Sequence, residues 1–502
     1  MRKRFGMFLG VLLVVVGLSN PIHATAQGIQ QLTADQGRMI EEYVERERKA
    51  SRIPGIAIGI VYGDRIVYTK GFGVADEKGT PVTPDTPFYI GSIGKTFTAL
   101  AIRQLEGEGR LDSKELVTKY IPWFTLADGS GKQITVEDLL AHTSGLSTAA
   151  GNEAYSYQSH YSIEEAVQQI NNRAKLNRPV GAGYEYSNLN YVILGLIVEY
   201  VSGMKYEDYL QQNIYAPIQM SHSYVSKEDA KASGLAEGFR ELYGINIRID
   251  SPYPAGQVPA GYQLCSATDM AKYMVYFLNN GYAEGKSLLP NNSLTPVADP
   301  LKPFDSGDSY YSLDWGVTKD PAIHDYNRFY GFLGATPNFN SAMLLSQVHR
   351  YGIVVLVNQR GSYRKPELMS QIIGNGISDI LLHNRMPESI QRTYDRKVFF
   401  TPLLLLIITA LSIYSCLRLP KRLLATRQWI VMMNLVIIHI ALPATILIAL
   451  PIYYDANWMY FLSSGIDFGL PMLALSIVLI IIGIIKAIRI FMYGKKHRKL
   501  LK

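Results

Sequence analysis

Ser92 and Lys95 stand three positions apart in Gly91-Ser92-Ile93-Gly94-Lys95, and that spacing can activate a hydroxyl. Residues at i and i+3 of a helix share a face and touch. A lysine kept from water loses its preference for the charged form and can take the proton of a neighbouring serine. The start of a helix also presents free backbone N–H groups, which can hold an oxyanion. The pattern alone is weak, because Ser202-Gly203-Met204-Lys205 and Ser362-Tyr363-Arg364-Lys365 repeat it. The first of these follows a helix in a turn-like Ser-Gly, and the second sits in a loop after a strand. Only Ser92 follows a β-rich segment, Phe88-Tyr89-Ile90, and opens a long helical run.

Two further groups fit the same chemistry. Tyr186-Ser187-Asn188 is the only Tyr-x-Asn among 34 tyrosines, in a Gly-rich loop before a helix. A phenol near Lys95 can relay the serine proton to a leaving group. An amide at Asn188 can orient lysine and substrate. Gly334-Ala335-Thr336-Pro337-Asn338-Phe339 precedes a predicted strand. An edge strand there offers the N–H of Ala335 as an oxyanion donor beside that of Ser92, and it can pair with an extended substrate.

The elements that must hold these groups are legible in outline. Thr33–Ala50 has a helical pattern, with Met39, Ile40, Tyr43 and Val44 on one side. Ile56–Tyr62 and Arg65–Tyr68 are β-rich and flank Gly63-Asp64, a hairpin signal. Thr96–Glu108, Val192–Val201 and Asp269–Leu278 read as helices, and Ser341–Leu345 and Gly352–Asn358 as strands. Strands at both ends and helices between predict an α+β domain over 27–390, one antiparallel sheet built from both ends with a helical region beside it.

The ends of the chain have a different character. The formal net charge is +7. Residues 1–26 carry +3 and residues 418–502 carry +9, which leaves −5 for 27–417. A mildly acidic middle argues against nucleic acid, which asks for a basic face on the folded domain. Two cysteines, Cys265 and Cys416, can build neither a disulfide framework nor a zinc site, and no cofactor or metal is expected. Residues 1–26 read as a signal peptide: Arg2-Lys3-Arg4, an apolar run of 15 residues, then Ala24-Thr25-Ala26. That run is short of the ~20 residues a spanning helix needs, which disfavours an uncleaved anchor. Three apolar segments, 398–417, 429–454 and 459–485, read as transmembrane helices, followed by a basic tail over 486–502. Positive charges in Arg418–Arg427 and in the tail, with none in Asp455-Ala456-Asn457, put the tail in the cytoplasm and the large domain outside.

In combination and order, the three groups resemble the serine β-lactamase and penicillin-binding protein superfamily, closest to its class C branch. Leu139–Leu146, Pro259–Tyr262 and Ser266–Met270 resemble that branch too. The resemblance spans roughly residues 35–385. It implies a class C β-lactamase-like fold, Ser92 as acylated nucleophile, Lys95 as its base and Tyr186 as proton relay. His142, within the first of those stretches, is implied to be structural. The superfamily carries Lys or His at the third motif, where this chain has Phe332-Leu333-Gly334. Phenylalanine cannot meet a substrate carboxylate, and esterases of the superfamily can carry an aromatic there. A signal peptide and C-terminal membrane helices add a closer resemblance, to prodrug-activating peptidases of the colibactin and zwittermicin type. These remove an N-acyl-D-asparagine cap during export, and their third motif ends in Pro-Asn-Phe, like Pro337-Asn338-Phe339. Relatives of the colibactin type keep a histidine where Phe332 stands. The resemblance implies Asn338 as the D-Asn contact, with Asn188 and Gln257 as further candidates and Phe332 and Gly334 lining the substrate. It implies an acylated peptide precursor, membrane lipid and the exporter of that precursor as partners. A cell-wall D,D-carboxypeptidase or esterase is the alternative. A non-catalytic peptide sensor is a third, against which Ser92, Lys95 and Tyr186 together argue.

Overall fold

The computed structural model describes residues 31–500 apart from 155–160, 243–244, 251–252, 284–285, 290–301, 304–308, 313–314, 319–328, 348, 362–363, 366–367, 390–392, 395–396, 420–427, 455–457 and 464–465. The expected signal peptide and most of the Arg418–Arg427 connection lie outside the described residues. There are two compact units. The larger runs to Arg392 without Ser362–Lys365, and the smaller holds Thr393–Lys502.

The larger unit is α+β. Its main sheet has eight antiparallel strands in the order Lys302–Pro303, Ser309–Ser312, Trp315–Thr318, Phe329–Ala335, Asn340–Ser346, Tyr351–Val357, Gly55–Tyr62 and Arg65–Gly73. The expectation of a sheet built from both chain ends holds in detail: Ile56 faces Val357 and Tyr62 faces Tyr351 across the ladder. Side chains alternate across a strand, and the two faces enter different cores. Ile56, Ile58, Ile60, Ile353, Val355 and Val357 pack under the helices Ala34–Ala50 and Met369–His383. Ala57, Val61, Val354 and Leu356 belong to the other core, on the side of the helix Ala267–Leu278 and the helical region. Ala34–Ala50 starts at a capping box, in which Gln36 N donates to Thr33 Oγ1 at 3.1 Å and Thr33 N donates to Gln36 Oε1 at 3.2 Å.

The helical region is centred on Gly94–Gly107 and Asn188–Ser202, which pack against each other. Both are buried on most of their circumference: Asn188–Ser202 is apolar nearly all round, while Gly94–Gly107 also buries Lys95, Thr96, Thr98 and Gln104. A three-stranded ribbon, with Leu264–Cys265 between Phe88–Tyr89 and Ser223–Tyr224, joins them to the main sheet. Phe88–Tyr89 lies in the β-rich segment expected before Ser92, whereas Leu264–Cys265, Ser223–Tyr224 and Lys302–Pro303 to Trp315–Thr318 carry too little apolar alternation to be read from sequence.

The smaller unit is helical. Two of its helices are long and apolar enough to cross a membrane, Trp429–Tyr453 and Phe468–Tyr493. The first of the three expected spans forms one continuous helix, Lys397–Leu417, with Pro402 near its start. The last helix does not stop at 485. It runs from Ile466 to Leu500 and buries Lys486, which donates to Ser415 Oγ (3.0 Å), Asn434 Oδ1 (3.1 Å) and His439 Nε2 (2.6 Å). Its three N–H donors thus have three neutral acceptors from two other helices. His439 sits on a π-helical turn, Ile437–Ala441, and its Nδ1 lies 2.9 Å from Leu479 O.

Candidate active site

The segment around Ser92 is short and tightly held. Phe88–Tyr89 pairs with Leu264–Cys265, Gly91–Ile93 forms one 3₁₀ turn, and the helix starts at Gly94. Two close backbone approaches fix its place against the sheet. Gly91 has φ +55, and a Cβ there would collide with the backbone N of Ala335. A Cβ on Gly334 would collide with Ile90 O and with Ser341 Oγ. Ser341 Oγ also donates to Ile90 O at 2.7 Å. The consequence is that the N–H of Ala335 and the N–H of Ser92 lie close together, as an oxyanion site requires.

Ser92 Oγ is 2.7 Å from Tyr186 Oη and 3.2 Å from Lys95 Nζ. Lys95 is fully buried. Its Nζ also donates to Asn188 Oδ1 at 2.9 Å and to the carbonyl of Ala260. Those two partners can only accept. In a neutral amine they take both N–H bonds, and the lone pair is then directed at the one neighbour able to give a proton, the Ser92 hydroxyl. The structure therefore places Asn188 beside the lysine, as its orienting partner. Lys95 Nζ also lies 5.1 Å over the Tyr186 ring.

His142 lies behind Tyr186. It is completely buried, and its ring stacks on that of Tyr186 at 4.6 Å and 35°. Its Nδ1 accepts from the backbone N of Ser187 at 3.1 Å and lies 2.8 Å from Asn190 Nδ2. A backbone N–H can only donate, so Nδ1 carries no proton and the imidazole is neutral. Burial, with the Lys95 charge nearby, holds its pKa well below the usual histidine range.

The remaining expected residues differ in position. Phe332 is buried, with 6% of its surface exposed, within the core on the side of the helical region. It pairs across the ladder with Met343. The strand Phe329–Ala335 pairs with Trp315–Thr318 only as far as Gly331. From Phe332 to Ala335 that edge has no ladder partner among the described residues. Asn338 is buried in the turn after this strand, and its Nδ2 donates to Ile249 O at 2.7 Å. Arg240 and Arg360 hold the same turn through the carbonyls of Pro337 and Thr336. Gln257 is buried on the turn Ala255–Gln257, and its Oε1 meets no hydrogen-bond donor among the described residues. Ala260, Ser341, Arg240 and Arg360 were not read as site residues from sequence. A carbonyl and a strut from distant segments leave no local pattern.

Comparison with known proteins gives the family and the fold. The Beta-lactamase family profile matches residues 38–374. Protein Flp of Staphylococcus aureus (strain MW2) is 29% identical over 466 residues, 86% of each chain. The share covered, 86% of 502 residues, is about 432 and exceeds the 392 residues that precede Thr393, so the likeness to Flp continues into the C-terminal helices. Unguisins hydrolase of Aspergillus campestris is 28% identical over 317 residues, 57% of this chain and 56% of its own. A class C beta-lactamase structure superposes with a TM-score of 0.57 over 70% of this chain and 98% of its own, at 19% identity, a likeness of fold.

Proposed function

The chain belongs to the beta-lactamase family of serine hydrolases, and from that premise we propose that it is a membrane-anchored peptidase that frees an exported nonribosomal peptide of an N-acyl-D-asparagine cap. The observation that carries the hydrolase chemistry is the contact of Ser92 Oγ with both Lys95 Nζ and Tyr186 Oη. Lys95 takes the hydroxyl proton as Ser92 attacks the scissile carbonyl. The N–H groups of Ser92 and Ala335 receive the oxyanion. The proton passes through Tyr186 to the leaving amine, the C–N bond breaks, and the acyl group stays on Ser92. Water then attacks the ester, gives its proton along the same path, and Ser92 regains its hydrogen.

The finer reading rests on Pro337-Asn338-Phe339 beside that strand edge, and on the apolar C-terminal helices. With phenylalanine at 332, nothing at that position attracts a free carboxylate, which disfavours penicillins and D-Ala-D-Ala ends. A second reading, an esterase or cell-wall D,D-carboxypeptidase, is favoured by one observation: the Asn338 amide already donates to Ile249 O inside the fold. Measuring kcat/KM separates the two. The peptidase reading expects N-acyl-D-Asn amides well above D-Ala, D-Asp and L-Asn amides, with slow turnover of penicillins. Burying an unmatched polar group costs about 1–3 kcal/mol, enough for a tenfold or larger preference. It also expects Asn338→Gly to flatten that order more than it slows simple esters. A best substrate of D-Ala-D-Ala, or an order untouched by Asn338→Gly, hands the case to the second reading.

A further inference from the structure

We propose that His142 is the positioning residue of the site: it aims the Tyr186 phenol at Ser92 by gripping the chain on both sides of that tyrosine, and it carries no proton in the reaction. The inference rests on the reading of Tyr186 as the proton relay.

The grip has three parts. On one side, the backbone N of Glu185 donates to the carbonyl of His142 at 2.8 Å. On the other, the backbone N of Ser187 donates to His142 Nδ1. Between them, the imidazole lies against the face of the phenol ring. One residue thus fixes the peptide groups before and after Tyr186 together with its ring. Tyr186 lies in a loop, outside any helix or strand. Thr148 Oγ1, at the start of the helix Thr148–Ala154, donates to the Tyr186 carbonyl at 2.5 Å, and His142 adds the contact with the ring that carries the Oη.

His142 is itself held. It takes a left-handed backbone, φ +53, which a residue with a Cβ adopts at a cost. The flanking Thr143 O accepts from Gly181 N at 2.8 Å, tying the same turn to the Gly-rich loop that leads to Tyr186. Asn190 is oriented by Ser144, whose Oγ donates to Asn190 Oδ1 at 2.7 Å, so that its Nδ2 faces His142. A protonated Nδ1 would break both contacts there and set a cation near Lys95. The arrangement tolerates only the neutral ring, so His142 cannot serve as an alternative general base.

Two substitutions divide the grip. His142→Phe keeps a ring against Tyr186 and loses the acceptor. His142→Asn places Oδ1 where Nδ1 stood and tolerates the left-handed backbone, but loses the ring. The full chain in detergent is assayed with an activated phenyl ester, alone and in the Tyr186→Phe background. His142→Phe is expected to lower kcat by ~10–100-fold with KM little changed, a part of what a general acid–base group contributes. In the Tyr186→Phe background the same change is expected to cost less than threefold, because its effect runs through the phenol. His142→Asn is expected to restore at least half of the logarithmic loss and to keep the acid limb of the wild-type pH profile. Equal losses in both backgrounds would overturn the proposal, as would a displaced acid limb in His142→Asn. If His142→Phe does not fold, the cycle is run with His142→Asn alone. A Tyr186→Phe enzyme as fast as the wild type would instead remove the relay on which the proposal stands.

Discussion

Replacing Ser92 by alanine removes the hydroxyl that touches both Lys95 and Tyr186, and a smaller side chain requires nothing around it to move. Hydrolysis is expected to fall by many powers of ten with the thermal transition unchanged. Lys95→Ala is expected to be as inactive, and Tyr186→Phe at least a hundredfold slower, within the ~10²–10⁴ of a general acid–base group. Ester turnover with mass spectrometry of the acylated serine reads all three, and an unimpaired Tyr186→Phe would remove the phenol from the mechanism. Gly334 makes a different test. A methyl group there meets Ile90 O, so Gly334→Ala must push the strand off the Ser92 turn and withdraw the N–H of Ala335. Loss of an oxyanion donor costs roughly 10²–10³ in kcat. Gly334→Ala is expected to lose that much while KM changes little. At this scale the sequence was informative where spacing is local. Ser92 and Lys95 are one helical turn apart, and Tyr-x-Asn is rare enough to be noticed. The stretches that hold Ala260 and His142 stand out by resemblance, but a backbone carbonyl on Lys95 and a contact behind Tyr186 come from elsewhere in the chain and have no spacing to Ser92 that reveals them.

The strand Leu264–Cys265 joins the Ser92 segment to the rest of the fold, and its cysteine reports on that junction. Cys265 is completely buried, and burial pushes its thiol up to about 12. In the unfolded chain the thiol ionises near 8.5. A folded pKa above the unfolded one gives stability that is complete below the unfolded value and is lost as pH rises towards the folded one. The domain is therefore expected to weaken by about 2–3 kcal/mol between neutral pH and pH ~10.5 through this group. Cys265→Ala is expected to lose that much less over the same interval, measured by denaturant titration at the two pH values. Parallel slopes for the two proteins would show the thiol already reaches water. The long elements were readable for the reason that these short ones were not. Ile56–Tyr62 and Gly352–Asn358 are continuous apolar runs, and Asn188–Ser202 is apolar nearly all round. Leu264–Cys265 and Ser223–Tyr224 have two residues each, too few for any period to show, and Phe88–Tyr89 shows only as the β-rich approach to Ser92.

At the scale of the whole chain, the charge distribution predicts an orientation. Protease added to spheroplasts is expected to cut within residues 30–390 and to spare an epitope placed after Lys502. The opposite pattern would overturn the topology. The expected boundary at 485 came from treating Lys486 as the first residue outside the membrane. Hydropathy cannot show that three neutral side chains from two other helices await that ammonium. The strand Gly55–Tyr62, next to the edge of the sheet, imposes a separate condition on how the protein is made. Gly55–Tyr62 meets one neighbour at once, across the Arg65–Gly73 hairpin, but its other neighbour, Tyr351–Val357, is among the last parts of the domain to be synthesised. A polypeptide threaded from its amino end into another compartment must keep that apolar ribbon half-paired while the entire helical region passes. Nascent chains arrested before Ser346 should accordingly be sticky and short-lived, whereas arrest after His383 should release a protease-resistant body.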